Sequence, residues 1–576
     1  MKPKTFSKIF QIAAGIIGFI AGIVIIQNGI LTDWIQRAAA FVLSTEAFEM
    51  NLPAVFGFFN LLTGLLLSVV SCYVVANVFL KDWLEIRFQK YYWFLLSVIL
   101  VFLVILGFLI VLNKTIQVDE IEHVHSAWYV VHGAIPYSDF FQHHNPLLWY
   151  CMTPFFILGE TITLFFIFRG FMFLCILAIA YTVYRIGRET GLHREWAVIS
   201  VILLLSEVIF IKSGIEIRPD SPYVLLGSIS CLYLIRFVKR FNQVSLMICG
   251  VTLGLSFLFI QKSIILIFPF GLVLLIRYLI RKIPFQSLLV FTAAFLSPLL
   301  LFGISLIATK SLNDYYVTNI LLNLNILFSN QQNCLTMFIT QNPLHIVLLF
   351  FALGHVIFHR KTLSWEQMIV ILVAVLAAGF PILVRRTAER NFLLGIPFLC
   401  VVAGYFLQSW LKHPKWNERR KLGIVMLIVT LPTFFLLKTG LIQHNRHQVR
   451  QIQYVLKNTA KTDRVYDGNN VFNLFRPDMH YFWYAVYGNN LIVRYNQITG
   501  GKYGDYDLSL LIQEKRPMII SNFGFDISGS GLLSTYQESP FKGLYIRRSM
   551  QPSNHSVNSF INILEGGKRS TGRGIR

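Results

Sequence analysis

The stretch YWFLLSVILVFLVILGFLIVLNKTIQVDEIEHVH, residues 92–125, joins an unbroken apolar run to Asp119, Glu120, Glu122, His123 and His125. About 20 apolar residues are needed to cross the hydrocarbon of a bilayer, and the run 92–113 meets that length with no polar face to turn toward water. The acidic and histidine-rich segment therefore emerges at a membrane surface. Runs of comparable character lie near 9–32, 52–80, 162–186, 196–211, 221–238, 244–260, 263–280, 286–308, 344–358, 367–384, 392–411 and 422–440. The sequence thus predicts a polytopic α-helical membrane protein of about thirteen spans. Composition agrees: 576 residues, 55% hydrophobic and only 14% charged, with a mean hydropathy of +0.61. The net charge of +22 would suggest nucleic acid in a soluble chain, but here the cations sit in short clusters between apolar runs. They report topology, and no nucleic-acid partner is expected.

With Lys2, Lys4 and Lys8 placed in the cytoplasm, every second loop should be basic. The clusters at Lys81, Arg87 and Lys90, at Arg185, Arg188 and Arg194, at Arg236, Lys239 and Arg240, at Arg277, Arg281 and Lys282, at Arg360 and Lys361, and at Lys412 to Lys421 fall on the required loops. The expected topology is N-terminus cytoplasmic and C-terminus extracytoplasmic. The run after Lys8 resembles a signal peptide but is long and lacks a small-residue cleavage site, so a retained anchor is expected. Four regions follow: an N-terminal helix pair, 1–91; a transmembrane domain, 92–441, with an outside loop 114–160; a small extracytoplasmic α/β domain, 442–564; and a disordered basic tail, 565–576. In the third, helical patterns at Val449 to Lys457 and Leu508 to Glu514 precede extended pieces at Arg464 to Tyr466 and Met518 to Ser521. The seven cysteines show no CxxC pair or zinc spacing, and most lie in apolar stretches.

The outside loops carry more ionisable side chains than connectors need. In 118–150, VDEIEHVHSAWYVVHGAIPYSDFFQHHNPLLWY, a helix from Ile121 to His132 lying along the interface would bring Asp119, Glu122 or His123, and Ser126 near one face. A carboxylate there could deprotonate a hydroxyl, or Asp119 and Glu120 could simply begin the helix, favoured by its dipole. The next outside loop, KSGIEIRPDSPY, brings Lys212, Glu216, Arg218 and Asp220 to the same side, and Lys262 sits at the edge of a short turn. Arg385, Arg386, Glu389 and Arg390 oppose the positive-inside trend, as either a binding site for a lipid phosphate or a solvated basic loop would. The Asn- and Gln-rich loop 311–343 is expected to be a lid or connector that could also touch a hydroxyl-rich ligand.

GAIPYSDFFQHHNPLLWY after the Asp-Glu pair resembles the integral-membrane glycosyltransferases of family 39, of the GT-C fold class. So do EIRPDSPY, the Gln261-Lys262 turn, ERNFLLGIPF and VLKNTAKTDRVYDGNNVFNLFRPDMHYFW. Protein O-mannosyltransferases and the lipid A aminoarabinose transferase are relatives within that class. The resemblance runs from about Val118 to Trp483. It implies transfer of a monosaccharide, with inversion, from a polyprenyl-phosphate donor to an extracytoplasmic acceptor. It also implies that Asp119 is the general base, that Glu120 completes a catalytic pair, and that Asp220 faces the same cavity. Where aminoarabinose transferases carry Glu-Lys, this chain has His143 and His144, which shifts the donor-phosphate contact toward Lys262, Arg218 and Arg390. The implied partners are a polyprenyl-phosphate sugar, membrane lipids and a glycolipid, polymer or protein acceptor, in a bacterial plasma membrane. No cofactor is implied.

Three rivals stand beside this reading. Zinc could be held by His123, His125, His143 and His144 with Glu120 or Glu122, although the spacing of a closed site is lacking and no metal is expected. A lipid-linked oligosaccharide ligase or polymerase would share the outward arginines. A transporter would place its ionisable residues at the bilayer midplane, where this sequence has few besides Arg169 and Glu207.

Overall fold

The computed structural model describes residues 88–324, 343–383, 389–411, 436, 444–468, 470–483, 491–502, 508–522, 527 and 531–548. The runs expected at 9–32, 52–80 and 422–440, the cations Arg385 and Arg386, and the tail 565–576 lie outside the described residues.

The other apolar runs are helical. They form α1 (Phe88–Asn113), α4 (Ile162–Glu189), α5 (Arg194–Ser206) with α6 (Val208–Gly214), α7 (Asp220–Arg240), α8 (Gln243–Phe259), α9 (Ile264–Leu279), α10 (Phe285–Ala308), α11 (Pro343–His359), α12 (Trp365–Leu383) and α13 (Ile396–Leu411). Between α1 and α4 lie α2 (Val118–Val131) and α3 (Leu147–Met152). Among the described residues, five helices are long and apolar enough to cross a membrane, six if the bent pair α5–α6 is one span. The chain is a multi-pass membrane protein. The run expected as one span at 196–211 is in fact broken at Glu207, where the helices turn by 62°. Glu207 caps α6 by accepting the Phe210 amide, and α6 leads the chain toward the loop that carries Glu216 and Arg218.

Within lipid there is no hydrophobic drive between helices, so close approach depends on small residues. Gly250 and Gly254 on α8 provide it, one helical turn apart. A Cβ on Gly254 would lie 2.4 Å from the Phe295 carbonyl oxygen of α10, and one on Gly250 would lie 2.8 Å from that of Phe291.

The chain divides into two compact units, 1–450 and 451–576. Helix α14 (Arg446–Lys457) runs across that division. Beyond it, β1 (Val465–Tyr466), α15 (Leu491–Thr499), α16 (Leu508–Lys515), β2 (Ile519–Ser521), β3 (Tyr536–Glu538) and β4 (Leu544–Arg547) contribute a four-stranded sheet of order β1-β2-β4-β3. Strands β1 and β2 are parallel, with Val465 opposite Ile519, and the remaining pairs are antiparallel. Tyr466, Ile512, Ile520 and Tyr536 anchor its core.

Candidate active site

Helix α2 begins beside the end of α1, and one arginine joins them. Arg169, buried on α4, uses all five of its N–H groups. Three go to the carbonyls of Val111, Lys114 and Thr115, which the end of α1 leaves open. The other two grip Glu120: Nε donates to Oε1 at 2.8 Å and Nη2 to Oε2 at 2.6 Å. Glu120 Oε2 also accepts the Gln117 amide at 3.0 Å, and Oε1 accepts the Ile217 amide at 3.1 Å. Burial works against the charge of this carboxylate, but Arg169 and then Lys114 overcome it and hold its pKa below the ordinary value. Glu120, expected as half of a catalytic pair, thus has four hydrogen-bond donors around its carboxylate. Both oxygens are occupied and the side chain is sealed, so it fixes α2 against α4 and against the 215–219 loop.

The same loop is pinned a second time by the Lys114–Glu216 ion pair. Burial pushes Glu216 up and Lys114 down, each toward its neutral form. The loop in turn presents Arg218, whose Nε donates to Asp220 Oδ2 at 2.9 Å and whose Nη1 bonds Asp119 Oδ2. Asp119 Oδ2 also meets Arg390 Nη1 at 2.9 Å. Burial, and then the charge of Arg390, lowers Arg218 to about 10. One residue along, Asn391 accepts from Lys262 Nζ at 2.6 Å. Asp119, Arg218, Asp220 and Arg390 thus form one contiguous cluster, with Lys262 joined to the segment that carries Arg390.

His125 is buried, and His143 and His144 are partly so. His123 is buried, and its Nδ1 accepts from Trp149 Nε1 at 3.1 Å. Its ring stands 5.1 Å from that of His144, which stands 4.1 Å from that of His143. Glu122 Oε1 accepts from Gln142 Nε2 at 3.1 Å and lies 3.7 Å from His144 Nε2. Burial lowers His123 to about 3 and His144 well below its ordinary value; Lys262 and Arg390 act on His144 in the same direction, so these histidines share the field of the cation cluster. Ligand atoms of Glu122, His123 and His144 lie within 4.8 Å of one another, a spacing that could hold a metal ion. The tautomer set by Trp149 opposes this, because an indole N–H only donates. Nδ1 of His123 must then offer its lone pair, and the ring proton sits on Nε2.

The amides beyond α10 close the site from another side. After the short turn Leu312–Tyr315, a π-helix, Tyr316–Leu321, carries Asn319, whose side chain accepts from Gln261. Asn323 Nδ2 donates to the His143 carbonyl at 2.8 Å, and Tyr315 Oη to Asn145 Oδ1 at 3.1 Å. These side chains tie the 312–324 segment to the 137–145 loop. Arg169, Trp149 and the Lys114–Glu216 pair were not singled out as site residues from the sequence. For Arg169 the usable signal was an arginine well inside an apolar run, a residue type that lipid tolerates only when it is paired.

A family model described as dolichyl-phosphate-mannose-protein mannosyltransferase matches residues 143–307. Among solved structures, ArnT from Cupriavidus metallidurans bound to undecaprenyl phosphate superposes with a TM-score of 0.56 at 11% identity, covering 78% of this chain and 97% of that one. The same protein in the apo state gives 0.54 at 11%, covering 76% and 94%. No curated protein sequence matches. At this identity the likeness is one of fold: the chain has the GT-C architecture, as the resemblance in its loops implies.

Proposed function

We propose that the chain transfers a monosaccharide from a polyprenyl-phosphate donor to an acceptor hydroxyl, with Asp119 as general base. The observation that carries this reading is the contrast among the carboxylates. Glu120, Glu122, Glu216 and Asp220 are each less than a tenth exposed, whereas the Asp119 side chain is a quarter exposed and faces two arginines. A base must be reachable, and a leaving phosphate needs cations beside it. Both conditions meet at Asp119 Oδ2.

In the proposed reaction the acceptor oxygen attacks the anomeric carbon as the bond from that carbon to the phosphate oxygen breaks. The hydroxyl proton passes to Asp119, and polyprenyl phosphate leaves with the electron pair. Attack opposite the leaving group inverts the anomeric centre. Arg390, the most exposed cation of the cluster, turns from Asp119 to the phosphate when the donor binds, and Lys262 joins it. Release from one arginine makes Asp119 a better base only in the loaded enzyme. Glu120 takes no proton; it is a positioning residue.

The likeness in fold to an undecaprenyl-phosphate-bound protein and the matched mannosyltransferase model support the lipid donor. The alternating loop charges support an N-terminus in the cytoplasm and a site facing outward, and the family resemblance of the loops and tail supports a bacterial plasma membrane as its location. A glycolipid, polymer or protein is the proposed acceptor class. The purified protein in proteoliposomes, offered undecaprenyl-phosphate monosaccharides or an undecaprenyl-diphosphate oligosaccharide, separates this reading from a ligase. Transfer from the monophosphates alone is expected, and use of the diphosphate alone contradicts the proposal.

A further inference from the structure

Among the buried polar atoms near the cation cluster that carry no hydrogen bond among the described residues are Nε2 of His123 and Oδ1 of Asp220. Their chemistry is opposite. Because Trp149 donates to Nδ1, the neutral His123 ring carries its proton on Nε2, so that atom is a donor with nothing to donate to. Asp220 gives Oδ2 to Arg218, which leaves Oδ1 an acceptor with nothing to accept. Leaving either one unmade inside a protein is costly. His123 lies one turn of α2 beyond Asp119, and Arg218 bonds both Asp119 and Asp220, so the two belong to one neighbourhood.

The pair discriminates among ligands. A phosphate oxygen could accept from His123 but would meet the negative charge of Asp220. A metal ion needs a lone pair on Nε2, which the Trp149 contact places on Nδ1. A hydroxyl group both accepts and donates, and so satisfies each atom. We infer that His123 and Asp220 form a hydroxyl-binding subsite for the sugar, His123 Nε2–H donating to one sugar oxygen and Asp220 Oδ1 accepting from a sugar hydroxyl. This rests on the polyprenyl-phosphate sugar reading above and adds the groups that select its sugar.

The test uses full-length protein labelled with 15N-histidine in lipid nanodiscs, the His123 signal being identified by its loss in His123→Gln. The ligand-free protein is expected to carry the proton on Nε2. The probes are undecaprenyl phosphate, undecaprenyl-phosphate mannose, glucose or aminoarabinose, octyl mannoside and zinc chloride. A sugar-bearing undecaprenyl phosphate should move the Nε2–H signal, while undecaprenyl phosphate alone binds without moving it. A shift with octyl mannoside alone keeps the subsite but assigns it to the acceptor. A proton on Nδ1, a shift with undecaprenyl phosphate alone, loss of the Nε2 proton to zinc, or silence toward every sugar-bearing probe overturns the inference. Binding of each lipid is followed in the same samples by displacement of a fluorescent polyprenyl phosphate. Failure of every lipid to bind counts against the donor reading itself, whereas binding with a silent Nε2 removes only the subsite. In transfer assays His123→Phe should lower kcat/KM by about tenfold or more, and His123→Gln, which keeps a donor, should recover most of it.

Discussion

Asp119 and Glu120 are adjacent in the chain and end in opposite surroundings: Glu120 is locked by Arg169 through both oxygens, while Asp119 meets Arg218 and Arg390 through one oxygen and stays a quarter exposed. The division follows from helix geometry. Consecutive positions at the start of α2 point about 100° apart, so one faces α4 and the other the open cluster.

Glu120→Ala should therefore be a stability mutation. Removing one partner of a buried ion pair leaves Arg169 charged and unmatched, at a cost of about 3–5 kcal/mol. Thermal unfolding in detergent should show a large drop in Tm. The double change Glu120→Leu with Arg169→Met should recover only part of it, because the carbonyls of Val111 and Thr115 lose the Arg169 donor. An unchanged Tm with activity abolished would return Glu120 to the catalytic pair.

Arg390→Ala and Lys262→Ala should raise the KM for the lipid donor by about tenfold each, the value of a charge-assisted contact to phosphate, with little effect on acceptor KM. Steady-state kinetics with donor and acceptor varied separately checks this. If donor KM and kcat both hold at Arg390→Ala, Arg390 is not part of the phosphate cradle.

Gly254→Leu should separate α8 from α10. A Cβ alone would meet the Phe295 carbonyl oxygen and Pro298, and backbone cannot yield as a flexible side chain would. We expect a loss of a few kcal/mol, in the range of overpacked cores, seen as a lower Tm. Gly271→Ala, where a Cβ meets nothing within 4 Å, is the control and should be near neutral.

His123 should stay neutral through the working range. Its folded pKa of about 3 lies below the ordinary 6.5, so between those values the unfolded chain binds more protons than the native one. The contribution of His123 to stability is complete above about pH 6.5 and declines as the pH falls toward 3. A 15N titration should show no protonation of His123 between pH 8 and pH 5, and His123→Phe should flatten the acid side of the stability profile. An imidazolium signal at pH 6 would contradict the buried assignment.

Much of this was legible in the sequence because lipid allows few choices. An apolar run of membrane length becomes a helix, and those that fall on described residues did. The break at Glu207 was not read, although a carboxylate inside an apolar run was the available sign. In the second unit the patterns ending at Tyr466 and Ser521 gave β1 and β2, while β3 and β4 were not read. The site was half legible. Asp119, Arg218, Asp220 and Arg390 share a side of the membrane, which charge alternation could reveal. The roles of Asp119 and Glu120 could not be separated without knowing that Arg169, 49 positions from Glu120, folds onto one of them.

The most direct test of the account is sugar transfer by purified Asp119→Asn in proteoliposomes supplied with an undecaprenyl-phosphate monosaccharide that the unaltered protein uses. Asparagine keeps the shape and cannot take a proton, so kcat should fall by about 10² to 10⁴ while Tm and donor binding hold. Transfer at the unaltered rate, with the variant folded and the donor bound, would contradict Asp119 as the base.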